Sequence, residues 1–186
     1  GLPNRKLFLY RLSHVLHLAK GDSPTNIKST DFILDLDGFK RVNDSNGMTG
    51  GDTILLTVAR RLERAISQEG TLARPSGAQF GSILVSKTKP DEIIGFADVL
   101  KKAVRRPIEY NENEVFLTAS LGLVSQTVKT ETGEDLIKNA ELAVYQAKRL
   151  GGDRVEPFRP AFRVVGSNSM QIEADLRRAL ERQQIE

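Results

Sequence analysis

Residues 32–52 read FILDLDGFKRVNDSNGMTGGD, and the character of the chain changes three times within them. Phe32, Ile33 and Leu34 are a continuous apolar run of strand length, the pattern of a central strand covered on both faces. Asp35 and Asp37 end that run and place two carboxylates at the carboxyl end of a buried strand. Asp commonly caps the helix that follows a strand, and Asp37 is assigned that cap. Asn43 to Gly47 is turn chemistry by itself. Beyond it, Ile54, Leu55, Val58, Leu62, Ala65 and Ile66 follow the helical period and predict a helix over 52–67, with Arg60, Arg61, Glu63 and Arg64 on its exposed face.

Upstream, residues 2–19 predict a helix opened by Pro3, with Leu7, Leu9, Leu12, Leu16 and Leu18 supplying apolar surface, and 21–29 a polar loop. His14 and His17 lie on that helix, but two nitrogens without a third partner are more often packing or surface residues than a metal site, and they are given no role. Downstream, 71–85 predict a β-hairpin turning around Pro75, Ser76 and Gly77, and 91–105 an amphipathic helix stopped by Pro107. Strands are expected at 108–110 and 115–124 around the turn Asn111, Glu112, Asn113, and a helix at 134–150 ending at Gly151. This succession predicts an α/β sandwich, a mixed central β-sheet flanked by helices. Residues 157–169, with two prolines and Gly166, Ser167, Asn168 and Ser169, read as a linker. A last helix is expected from 170, its stripe of Ile172, Leu176, Ala179 and Leu180 awaiting a further domain.

A chain of 186 residues with 39% apolar content can bury one core, not two full domains. The absence of cysteine excludes disulfides, thiolate metal sites and a cysteine nucleophile. No apolar run approaches the roughly 18 residues of a membrane span and no leader pattern opens the chain, so a cytoplasmic protein without membrane contact is expected. The net charge is +3, with 27 basic residues scattered among 24 acids, which leaves no electrostatic footprint for nucleic acid.

Four blocks then occur in order: GLPNR at 1–5, the stretch 32–52, TASLGL at 118–123 and AELAVYQAKRLG at 140–151. Together they resemble the successive signatures of GGDEF domains, the family that contains diguanylate cyclases, over residues 1–156. The resemblance implies a nucleotide-cyclase-like fold and the conversion of two GTP molecules into cyclic di-GMP, one half-site on each protomer of an antiparallel homodimer. Such phosphoryl transfer depends on positioning and cation electrostatics. By position, Asp35 would be a magnesium (Mg2+) carboxylate and the Leu36 carbonyl a neighbouring oxygen ligand. Asn43 and Asp52 would read the guanine edge, and Lys148 would meet the phosphates.

The hairpin signature departs from the family. In place of Gly-Gly-Asp/Glu-Glu-Phe the chain has Ser76, Gly77, Ala78, Gln79 and Phe80. The third position normally carries a metal carboxylate and the fourth a catalytic acid; Ala78 offers no ligand, and Gln79 neither charge nor usable basicity. Met48 stands where the family usually has His, Gly152 where a phosphate-binding Arg is common, and Ser67, Gln68, Glu69 and Gly70 where a product-feedback Arg-x-x-Asp would lie. The Gly-Gly-Asp triplets at 50–52 and 151–153 sit on no hairpin and carry no catalytic weight.

The expected function is a degenerate, catalytically inactive GGDEF domain that regulates a downstream domain and keeps recognition of GTP or a guanine nucleotide, with weak use of Mg2+. IEADLRRALERQQIE, at 172–186, resembles the lead-in helix of EAL-type cyclic di-GMP phosphodiesterase domains. The expected division is therefore a GGDEF domain over 1–156, a linker over 157–169 and the start of an EAL domain over 170–186. Two alternatives stand beside it: a ligand-free dimerisation or spacer domain, and a residual cyclase in which another acid, Glu69 being the nearest in sequence, replaces the lost pair.

Overall fold

The computed structural model describes residues 1–20, 29–66, 70–85, 89–125 and 132–164. Residues 21–28 of the loop expected at 21–29, residues 67–69 of the feedback position, the linker from 165 and the helix expected from 170 lie outside the described residues, while Ser29, given to that loop, opens a strand. In chain order the elements are α1 (Arg5–Lys20), β1 (Ser29–Leu36), α2 (Phe39–Ile66), β2 (Gly70–Ala73), β3 (Gln79–Val85) and α3 (Pro90–Arg105). They continue with β4 (Ile108–Tyr110), β5 (Asn113–Val115), β6 (Ala119–Ser125), α4 (Gly133–Arg149) and β7 (Val155–Pro157).

β1 is the middle strand of a five-stranded sheet of order β2-β3-β1-β6-β7, antiparallel to β3 and β6, while β7 joins β6 in parallel. Alternation along β1 explains why its apolar run is continuous: Phe32, Leu34 and Leu36 enter the core under α2 and α3, and Ile33 enters the one under α1 and α4. The expected mixed sheet flanked by helices is what the chain forms. β4 and β5 make a separate two-stranded ribbon turned by Asn111 and Glu112, both at positive φ.

α4 crosses β6 at very short range. A Cβ at Gly122 would lie 2.1 Å from the Ala140 carbonyl oxygen and 2.7 Å from the Val144 nitrogen, so the strand and helix backbones meet with no room for a side chain. α4 begins in a capping box in which the Thr132 N–H and hydroxyl both donate to Asp135, holding its carboxyl below the usual carboxylate range.

Several local expectations are corrected. The helix placed at 52–67 begins at Phe39, and Asn43 to Asn46, read as a turn, are helical; the break falls at Gly47 alone, at φ 70 and ψ 172. Buried Phe39 and Val42 hold this first segment on the core, and the Asn46 amide donates to the Val42 carbonyl within the helix. α1 is capped by Asn4, whose Oδ1 accepts the Leu7 N–H, and not opened by Pro3, whose carbonyl accepts the Arg74 N–H beside the hairpin. The strand read at 115–124 is two, because the chain leaves β5 with Phe116 exposed, buries Leu117 and starts β6 at Ala119. β7 was not anticipated, and it includes Pro157, the first residue given to the linker. Phe158 donates its N–H to the Leu123 carbonyl and lies under the Arg163 guanidinium, which also reaches the Asn139 side chain. Among the described residues no helix is long and apolar enough to cross a membrane.

Candidate functional site

The end of β1 carries the site. In the strand register Asp35 lies between Gln79 of β3 and Ser120 of β6, so it shares a sheet face with the residue that follows Ala78 in the hairpin. Gln79 Nε2 donates to Asp35 Oδ2 at 3.1 Å, and Lys148 Nζ, from the last turn of α4, donates to Asp35 Oδ1 at 2.7 Å. Ser76 Oγ donates to Gln79 Oε1 at 3.3 Å. The hairpin turn is closed by the Gln79 N–H on the Ser76 carbonyl, with Gly77 at φ +46 and the Arg74 guanidinium on the Gly77 carbonyl. The Ala78 carbonyl accepts the Leu36 N–H, while the Ala78 methyl packs against the α2–α3 core cluster; Phe80 and the Leu36 side chain are buried in that cluster. Gln79 and Lys148, far apart in sequence, thus both meet the Asp35 carboxylate.

Asp37 does not cap α2, contrary to the sequence reading. Its Oδ2 accepts from Thr118 Oγ1 at 2.8 Å and from the Asp153 N–H at 2.9 Å, and its Oδ1 accepts from Ser120 Oγ at 2.7 Å. It therefore ties β1 to the start of β6 and to the turn after α4. Asp153 in turn binds the Arg105 guanidinium and lies 3.8 Å from Lys101, fastening that turn to α3. Ser120 is fully buried, so Asp37→Ala would leave its hydroxyl without this acceptor. That variant is expected to lose about 2–4 kcal/mol of stability by urea denaturation at unchanged m-value. A loss below about 0.5 kcal/mol would show the clasp to be unimportant.

Asn43 and Asp52 are brought into proximity through the first Gly-Gly-Asp triplet. A Cβ on Gly51 would lie 1.8 Å from Asn43 Oδ1, so the Asn43 side chain rests on the backbone immediately before Asp52. Asp52 is exposed, as is Met48 at 72%. The triplet at 151–153 is likewise structural: its three residues all take positive φ, and Gly152 faces the Asp37 carboxylate.

The donors present do not fit a resident magnesium ion. Mg2+ sites draw on one or two carboxylates in near-octahedral geometry. Here Ala78 contributes none, both oxygens of Asp35 already accept internal donors, and among the described residues no three His, Asp or Glu side chains converge. Thr118, Ser120 and Asp153 escaped the sequence reading. For the two hydroxyls the available signal was their spacing of two residues, Thr118 just before β6 and Ser120 within it.

Comparison with known proteins places this architecture. A family model described as "Diguanylate cyclase, GGDEF domain" matches residues 1–154. The bifunctional diguanylate cyclase/cyclic di-GMP phosphodiesterase MucR of Pseudomonas aeruginosa is 33% identical over 184 residues, which cover 99% of this chain and 26% of MucR. The chain thus spans about a quarter of that relative's length. The GGDEF domain of YfiN (TpbB) from Pseudomonas aeruginosa superposes with a TM-score of 0.79 at 26% identity, covering 86% of this chain and 98% of that one. An EAL/GGDEF domain protein from M. capsulatus gives a TM-score of 0.69 at 29% identity over 85% of this chain and all of its own. With the sheet order, the hairpin beside β1 and four ordered sequence blocks all in agreement, the chain belongs to the GGDEF family over residues 1–154.

Proposed function

We propose that this GGDEF domain is a regulatory module of cyclic di-GMP signalling that binds a guanine nucleotide weakly and does not condense it. The observation that carries the reading is the state of the hairpin: Gln79 spends its amide on Asp35, and Ala78 turns a methyl group into the core. No acid stands at either position to bind a metal or take a proton. Asn43, Asp52 and Lys148 remain to recognise the guanine edge and the phosphates. Mg2+ contributes little to that affinity, because the one carboxylate in place is already engaged.

The relation to MucR, whose name joins a cyclase and a phosphodiesterase, supports a polypeptide in which an EAL domain follows and is the element controlled. The domain would work on the cytoplasmic side and as a homodimer, the arrangement the family resemblance implies. Isothermal titration of the protein with GTP is expected to give a dissociation constant of about 0.1 to 1 mM, or roughly 4 to 5.5 kcal/mol. Asn43→Ala together with Asp52→Ala should abolish the heat. A flat titration of the unaltered protein at millimolar GTP refutes the nucleotide reading and leaves a ligand-free dimerisation or spacer domain in its place.

A further inference from the structure

A carboxylate that serves a metal ion must turn its charge to that ion, with no competing cation in the way. The two oxygens of Asp35 are instead each met by a donor from the chain, one of them the Lys148 ammonium, Nζ at 2.7 Å, and the other Gln79 Nε2 at 3.1 Å, which together take about half of the carboxylate's acceptor sites. The Ser76 hydroxyl holds Gln79 Oε1, which fixes the amide so that its NH2 end is the one turned to Asp35. The ammonium contact has the length of a charge-assisted hydrogen bond, and it supplies the positive charge that a divalent ion would otherwise bring. An incoming ion would have to expel Lys148, shed water that Mg2+ releases reluctantly, and complete its shell without a second carboxylate at position 78 or 79. Lys148 itself is 39% exposed at the end of α4, on a flexible stem, and can turn from Asp35 toward solvent.

We propose, resting on the guanine-nucleotide reading above, that Lys148 takes the place of the metal as the resident counter-ion of Asp35, and that nucleotide phosphates compete with Asp35 for its ammonium. The site then takes guanine nucleotide free of metal. The competition reverses the sign of Asp35's contribution. In a metal-dependent site the carboxylate draws the nucleotide in through the ion. Here it holds the ammonium back and repels the phosphates, so neutralising it frees Lys148 and removes an anion in one step.

Two measurements on the full chain test this. The first is Mn2+ titration without nucleotide, followed by electron paramagnetic resonance. The unaltered protein is expected to leave the ion free up to millimolar concentration, while Gln79→Glu combined with Lys148→Ala, which sets two carboxylates side by side with no ammonium, acquires binding. Submillimolar Mn2+ binding by the unaltered protein that Asp35→Asn removes would overturn the proposal. The second is GTP calorimetry in EDTA and in Mg2+. Affinity should be the same in both buffers, should rise roughly threefold to tenfold in Asp35→Asn, and should fall by a similar factor in Lys148→Ala. Binding that requires Mg2+, or that weakens in Asp35→Asn, would overturn it. If no variant binds GTP in either buffer, the nucleotide reading fails, and the Mn2+ titration alone decides whether Lys148 has displaced the metal. Unfolding temperatures of each variant confirm that the fold is retained.

Discussion

Mixed with GTP and magnesium, the purified protein is expected to release no cyclic di-GMP above background over hours, a deficit on the order of 10⁴-fold or more against a cyclase that keeps both hairpin acids. Removing one preorganised electrostatic group commonly costs about 10²- to 10³-fold, and two adjacent positions are changed here. The geometry deepens the deficit. A glutamine could in principle orient a reacting group, but Gln79 has one end of its amide on Asp35 and the other on Ser76. The methyl of Ala78 faces the core and offers nothing to a phosphate. Chromatographic separation of the nucleotides measures the outcome. Turnover that Asp35→Ala abolishes would restore the residual-cyclase reading and make Glu69 the first replacement acid to test.

Gly122→Ala is expected to be the most damaging small substitution in the fold. The added methyl would sit 2.1 Å from a carbonyl oxygen and 2.7 Å from a backbone nitrogen of α4, neither of which can rotate away as a side chain could. Strand and helix must separate, and the cluster formed by Ile33, Val124, Ile137, Ala140 and Val144 loses its fit. Overpacking of this kind costs about 3 kcal/mol, or roughly 6 to 12 °C in unfolding temperature for a domain of this size. Gly95→Ala is the control: it lies within α3 with nothing within 4 Å of the added carbon and should be neutral or stabilising by about 0.5 to 1 kcal/mol. Thermal unfolding followed by circular dichroism separates the two. Equal melting temperatures would mean that α4 does not press on β6 as closely as the backbone distances require.

The parts of this fold visible in sequence are those whose signal is local. Phe32 to Leu34 marks the central strand because both sides of it are apolar, and the period of Ile54 to Ile66 marks the second half of α2 because one face alone is buried. The first half of α2 was hidden by Asn43, Asp44, Ser45 and Asn46, residues that favour turns when nothing else acts on them. Burial of Phe39 and Val42 overrides that preference, and Gly47 confines the break to a single residue. β7 was hidden for another reason: three residues in parallel with β6 have no pattern of their own, only a partner. The site divides in the same way. Asp35, Gln79 and Lys148 could each be named from motif position, yet Lys148 and Asp35 are 113 residues apart, and their contact follows only from α4 lying across the sheet. Asp37 looked like a helix cap because Asp at that place often is one. The hydroxyls of Thr118 and Ser120 claim it instead.

The turn from Gly151 to Asp153 also constrains how the chain could change over evolutionary time. With φ at +75, residue 152 occupies backbone space that costs any L side chain roughly 1–2 kcal/mol, and a Cβ there would come within 3.2 Å of the Asp37 carboxylate. Arginine introduced at 152 would therefore have to bear that backbone strain and crowd the carboxylate that clasps Thr118 and Ser120, so a change at this corner is felt across the sheet at β1 and β6.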